Sequence, residues 1–315
     1  MVVDINGILP TKEFLRGLIT EYAYAGYQKM FGSSLAAAFG MSESEYNKMS
    51  SSMSRSDFLE GLIDRTGSFA MSLEETVEML DSAGVSRVCI HNEDEETTTG
   101  IKPLSNDYLA NVVKEYPTKF IGFAGADPLK GKAAVSELDR AISGLGLSGL
   151  SLVPFKNRMY ADDSRFYPLY EKCVELDVPV WIHTSNNWSF EHAMDYGNPR
   201  GVDHVAAHFP ELKIIAGHGG WPWVQEMVVV AWRHPNVYID TSAHRPAYFD
   251  RPGSGWEPLL HFGNTTIKEK VLFGSQWMLL GIPLDQVIEE VKQLPLKDDV
   301  KQMWLHENAT RLLRL

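Results

Sequence analysis

The chain has 315 residues, 44% of them hydrophobic, and its 29 Lys and Arg stand against 41 Asp and Glu for a formal net charge of −12. That balance argues against a broad nucleic-acid or anionic-membrane surface but permits a local basic pocket for an acidic small molecule, and the length suits a single α/β barrel. Cys89 and Cys173 lie in apolar periodic segments without metal or redox spacing, the opening residues lack a signal-peptide pattern, and no run approaches the ~18 apolar residues of a membrane span. The expectation is one reduced, cytoplasmic domain over residues 1–315.

A short first strand, Met1 to Ile5, is broken by Asn6-Gly7. Residues 11–71 then read as an irregular, partly helical insertion over a barrel mouth, with the serine-rich run from Met49 to Ser56 as an exposed loop. Regular alternation follows. Leu73, Val77 and Leu80 mark a helical face ending at Gly84, before the strand Val85 to Ile90. Further strands are expected at Phe120 to Ala124, Gly149 to Val153, Val178 to Ile182, Leu212 to Ala216, Asn236 to Asp240 and Lys270 to Gly274. Helical spacing separates them, as in Phe166, Leu169, Tyr170, Cys173 and Leu176, or Trp221, Val224, Met227, Val228 and Ala231. Eight short apolar strands alternating with helices predict a (β/α)8 TIM barrel with a helical insertion after the first strand. The rival, an open doubly wound sheet, lacks a glycine-rich turn after the first strand.

In such a barrel, chemistry sits where strands give way to helices at the C-terminal face. Asp4, Asn6, Asn92, Lys156, His183, Asn186, His218, Asp240, His244, Arg245 and Gln276 fall there. His218 stands between Gly217 and Gly219-Gly220, directly after an apolar strand, and a buried imidazole at such a place is either well hydrogen-bonded or employed.

Several segments carry a resemblance: Asp162 to Tyr170, Val180-Trp181-Ile182-His183-Thr184, Leu212 to Trp223 with its Gly-His-Gly-Gly, His234 to Tyr238, Phe273-Gly274-Ser275 and Glu307-Asn308-Ala309. In this order the chain resembles the amidohydrolase-related family that contains α-amino-β-carboxymuconate-ε-semialdehyde decarboxylase, over nearly its full length. The resemblance implies a TIM barrel acting on small carboxylated aromatics, pyrones or ring-opened products. It also implies that His218 matches the family's catalytic acid/base and His183 a metal ligand. The family's opening Asp-x-His-x-His is here Asp4, Asn6 and Ile8, and its Phe-Gly-Ser-Asp ends in Gln276. Zn²⁺ ordinarily takes three protein ligands from imidazole, thiolate or carboxylate, so no metal is expected, with Zn²⁺ as the alternative.

The sequence therefore predicts a metal-independent hydrolase of a small cyclic or carboxylated substrate with an activated carbonyl. His218 is its general base or acid, with His183 and Asp4 as the other catalytic residues. Asn6 and Gln276 would face the developing oxyanion. Trp188, Trp221, Trp277, Tyr160, Asn92, Asn186 and His244 would surround a flat ligand. Lys156, Arg245 and Arg55 are the candidates for a substrate carboxylate, Arg245 foremost. The alternatives are a non-oxidative decarboxylase, with His218 protonating the carbon that loses carbon dioxide, and a catalytically inactive binding protein. A small molecule is the expected partner, and a homo-oligomer stays open.

Overall fold

The computed structural model describes residues 1–21, 26–27, 30, 32, 36, 40–65 and 70–315; within them the side chains of residues 18–21, 55, 56, 59 and 63 are outside the description. Eight strands form one parallel sheet in sequential order: β1 Val2–Asp4, β2 Val85–His91, β3 Phe120–Gly125, β4 Gly149–Leu152, β5 Val180–His183, β6 Ile214–Gly217, β7 Val237–Asp240 and β8 Val271–Leu272. Each pairs with the next, for example Ile182 beside Ala216 and Asp240 beside Leu272, and the β1–β2 register shifts between Val2 and Val3. The sheet closes on itself where Ile5 N–H donates to Phe273 O at 2.8 Å. The expected TIM barrel is therefore the observed one.

The period of two along each strand divides the apolar residues into two layers. Val88, Ile90, Val180, Ile182, Ile214, Ala216, Val237 and Ile239 pack outward against the helices. Cys89, Ile121, Phe123, Trp181, Ile215 and Leu272 fill the barrel, and Ala309 and Leu312 of the C-terminal helix join that inner cluster. Full burial of side chains of this size contributes about 1.5–3 kcal/mol each. Both cysteines are free and buried. The helix after β6 spans Val224–Arg233 and buries Val224, Met227, Val228 and Ala231; Trp221 precedes it rather than belonging to its face.

The expected insertion contains helices Lys12–Glu21, Glu43–Ser52 and Arg55–Arg65. Part of the run read as a serine-rich loop is thus helical up to Ser52, leaving only Met53 and Ser54 between two helices. A capping box starts that helix: Ser42 Oγ accepts from Glu45 N–H, and Glu45 returns the bond to Ser42 N–H. Tyr46 anchors it in a small cluster with Ala36, Met41, Phe58 and Leu62. Among the described residues no helix is long and apolar enough to cross a membrane.

Candidate active site

Strand alternation decides which side chains reach the mouth of the barrel. Cys89 and Trp181 point inward, so His91 and His183, two residues further on, do so as well. His218 follows β6 with φ 61°, and Gly219 and Gly220 continue at 66° and 70°, a tight turn that brings the imidazole back over the barrel. Gly217 is required beneath it, because a Cβ there would lie 2.3 Å from the Trp181 indole.

These groups line a cavity of about 180 Å³, room for one substituted six-membered ring, since a dry cavity of ~150 Å³ admits benzene. Its apolar walls include Ile8, Phe14, Val153, Phe155, Trp181 and Leu279, and its polar groups include Asn6, His91, Glu93, Lys156, His183, His218, His244 and Gln276. His183 and His218 meet edge to face with ring centroids 4.9 Å apart. Among the described residues nothing hydrogen-bonds the buried Nδ1 of His183. Burial, aided by the charges of His218 and Lys156, pushes the His183 imidazole well below its ordinary range. Burial likewise takes His91 down to about 4, against the opposing effect of its bond to Ile5 O, and His244 to about 3, with His218 adding to the latter shift. All three are therefore neutral acceptors or donors near pH 7.

His218 is held from below. Its Nδ1 lies 2.8 Å from Ser242 Oγ, which donates to Asp240 Oδ2 at 2.7 Å. Trp181 Nε1–H donates to the same Asp240 oxygen at 2.9 Å, and the Asn6 amide reaches Asp240 at 3.3 Å and Ser242 at 3.1 Å. Gln276 Nε2–H donates to Asn6 Oδ1 at 3.2 Å.

The structure sorts the expected site residues. His218, His183, Asn6, Asn92, Lys156, Asn186, Trp188, His244 and Gln276 all line the cavity. Asn92 spends its amide hydrogens on Leu104 O and Asn106 Oδ1, so its part there is structural. Lys156 is ion-paired with Glu93. Asp4 does not line the cavity: it accepts from Ser275 N–H at 2.9 Å, Ser275 O–H at 2.5 Å and Asn6 N–H at 3.1 Å, a strut across the β1–β8 seam. Arg245, expected to hold the substrate, instead grips Glu290 through Nε at 2.9 Å and Nη2 at 2.7 Å, outside the cavity lining. Tyr160 is exposed and donates to Asp195, Trp221 donates to Ser254 O, and Trp277 packs on the outer core. The Arg55 side chain lies outside the described residues. Sequence reasoning missed Ser242 and Trp181 as parts of the site. The signal was the same two-residue period, which carries Asp240 and Ser242 inward together.

A closed barrel with a buried histidine cluster at the C-terminal ends of its strands defines an enzyme-like TIM barrel of the amidohydrolase type. The profile described as "Amidohydrolase" matches residues 69–315, and the chain belongs to that family. It is 29% identical over 170 residues to a gamma-resorcylate decarboxylase of a Polaromonas species, covering 45% of this chain and 51% of that protein. It is 29% identical to 2-amino-3-carboxymuconate-6-semialdehyde decarboxylase of Dictyostelium discoideum, covering 67% of this chain and 65% of the relative. The chain thus spans about half to two thirds of these curated relatives. Among solved structures, a TIM-barrel protein of Bordetella bronchiseptica, described as uncharacterised, superposes with TM-score 0.72 at 27% identity, covering 99% of this chain and 98% of that one.

Two expectations are corrected by these comparisons. The expectation of hydrolysis is not supported, since both of these curated relatives are named as decarboxylases. The expectation of chemistry without a cofactor is overturned by a 5-carboxyvanillate decarboxylase of Novosphingobium aromaticivorans, crystallised with manganese on the same barrel (TM-score 0.64, 17% identity, covering 100% and 96% of the two chains). The donors of this chain do not reproduce a three-ligand set. Among the described residues no group of three His, Cys, Asp or Glu is placed to hold a metal ion, Ile8 brings no donor, and the Asn6 and Gln276 amides are bonded to their neighbours.

Proposed function

We propose that the protein is a non-oxidative decarboxylase of a small carboxylated aromatic or muconate-like substrate. The observation that carries this reading is the His218 imidazole, fixed through Ser242 and Asp240 at the base of an apolar-walled cavity of one-ring size. The protonated His218 delivers its proton to the carbon that bears the carboxylate. The bond from that carbon to the carboxyl group then breaks, its electron pair returns to the ring or enamine system, and carbon dioxide leaves. His218, now neutral, takes a proton from solvent to begin again.

The surroundings favour this chemistry over attack by water. A carboxylate is charged and carbon dioxide is not, so walls of Phe14, Val153, Phe155 and Leu279 disfavour the ground state relative to the product. Neutral His183, with its Nδ1 unsatisfied among the described residues, supplies a hydrogen-bonding partner for a substrate oxygen without stabilising the carboxylate as a cation would. Lys156, beside Glu93, sets the polarity of the cavity. Phe14, Gly17 and Tyr27, from the stretch after the first strand, cover part of the cavity.

The test is turnover in D₂O and, in parallel, in ¹⁸O-labelled water of a panel of ortho-hydroxylated benzoates beginning with 2,6-dihydroxybenzoate, together with carboxylated muconate semialdehydes, with and without added manganese. Release of carbon dioxide with one deuterium on the carbon that lost it is expected. Uptake of solvent ¹⁸O into product without carbon dioxide would refute the proposal.

A further inference from the structure

Ser242 has one hydroxyl proton and three polar side-chain neighbours: Asp240 Oδ2 at 2.7 Å, His218 Nδ1 at 2.8 Å and Asn6 Nδ2 at 3.1 Å. A carboxylate oxygen only accepts and an amide nitrogen only donates. The orientation of the Asn6 amide follows from Asp240, whose carboxylate oxygen 3.3 Å away can only accept and so draws the Asn6 NH₂ towards itself and Ser242, leaving Asn6 Oδ1 to accept from Gln276 Nε2–H. Among the described residues Asp240 is met only by donors: Trp181 Nε1–H, the Asn6 amide, Ser242 N–H and Ser242 O–H. It acts as acceptor throughout. The serine proton therefore goes to Asp240, one serine lone pair receives the Asn6 amide, and the other is left for a proton on His218 Nδ1.

We infer that Ser242 is a positioning residue that fixes His218 as the Nδ1–H tautomer and makes Nε2 the nitrogen that takes up and returns the reaction's proton. Which ring nitrogen carries the proton in neutral histidine is set by the bond made at the other, and here that bond runs through a hydroxyl rather than directly to a carboxylate. The kinetic consequence rests on the decarboxylase reading; the tautomer does not. Asn6 and Gln276 thereby gain a role. They form the hydrogen-bonded arm that orients Ser242 from the β1 and β8 side of the barrel.

The experiment is two-bond ¹H–¹⁵N correlation of protein labelled with ring-¹⁵N histidine, with His218 assigned by its loss in His218→Asn. Neutral wild type is expected to show a protonated Nδ1 and a bare Nε2 for His218. In Ser242→Ala the pattern should move towards Nε2–H. The kcat for decarboxylation should fall roughly 10- to 100-fold with KM within about twofold, short of the ~10⁴-fold that a fully wrong tautomer costs a proton-transfer site. An Nε2–H signal in wild type overturns the inference even if Ser242→Ala does not fold. An unchanged tautomer or an undiminished kcat in folded Ser242→Ala overturns it as well. If wild type shows Nδ1–H but releases no carbon dioxide from any substrate, the decarboxylase reading fails and the positioning of His218 stands.

Discussion

Asp4 sits where two opposing effects can be told apart. Burial pushes its carboxyl up from the ordinary 3.8 to about 6, although the Ser275 hydroxyl and the backbone N–H groups of Asn6 and Ser275 all favour the ionised form and Asp240 opposes it only weakly. A carboxyl that titrates near 6 in the fold and near 3.8 in the unfolded chain costs about 3 kcal/mol of stability once ionised, at 1.36 kcal/mol per pH unit. The sign follows from the raised folded value. Asp4 contributes its full stability below about pH 4, and that contribution is lost as pH rises through about 6. With an unfolding entropy of about 2.1 cal/mol/K per residue over 315 residues, roughly 0.66 kcal/mol/K in all, 3 kcal/mol corresponds to about 4–5 °C in thermal midpoint. The assay is the midpoint of wild type and Asp4→Asn, followed by tryptophan fluorescence from pH 4 to 8. Subtracting one curve from the other removes the titration of every other group. The wild-type midpoint should fall relative to Asp4→Asn by about 4–5 °C between pH 4 and 7. A flat difference, or one rising with pH, would show that the three donors outweigh burial and that the carboxylate is held ionised across the seam.

His218→Asn should lower kcat roughly 10²- to 10⁴-fold while the thermal midpoint holds, because proton transfer by a placed side chain is worth that much and Asn tolerates the left-handed backbone at that position; stopped turnover and calorimetry together check it. Gly274→Ala places a Cβ 2.1 Å from Asp240 Oδ1 and 2.8 Å from Ser242 Cβ. It should cost about 1–3 kcal/mol in denaturant unfolding and depress kcat far more than KM. Arg245→Ala should leave KM for a carboxylated substrate within about twofold yet destabilise by roughly 1–2 kcal/mol, since the buried Glu290 carboxylate loses its charged partner and keeps only the Ala247 N–H and the Gln286 amide; a tenfold rise in KM would restore Arg245 to the binding site. Asn6→His, Ile8→His and Gln276→Asp together place three ligands on the cavity wall that already holds His183. Calorimetric titration should then show manganese affinity at least about 100-fold above wild type.

What the sequence disclosed was local in character. The eight strands could be read because each is a short apolar run ending in a turn, and His183, His218, Asn6 and Gln276 could be placed at the mouth because they follow those runs directly. The rest depends on partners distant along the chain. Arg245 was expected to face substrate, but Glu290, 45 positions later, claims its guanidinium. Tyr160 turns outward to Asp195 for a comparable reason. Ser242 was overlooked because a serine after a strand has no signature of its own, and its meaning comes only from Asp240, His218 and Asn6 converging from three strand ends. The helix through Ser52 was obscured by its serines, although Ser42 and Glu45 carried the cap that starts it and Tyr46 the side chain that anchors it.

The turn after β6 bears on any attempt to improve this protein. His218 is one of six non-glycine residues with positive φ among the described residues, and its neighbours Gly219 and Gly220 share that backbone state. A β-carbon there costs about 1–2 kcal/mol relative to glycine, so glycine at position 218 would relax the main chain and delete the imidazole in one change. A search guided by heat resistance alone would favour that replacement and finish with a sturdier, inert barrel. Selection for stability and selection for turnover pull in opposite directions at this residue, and a library screened for both should keep histidine there despite its backbone.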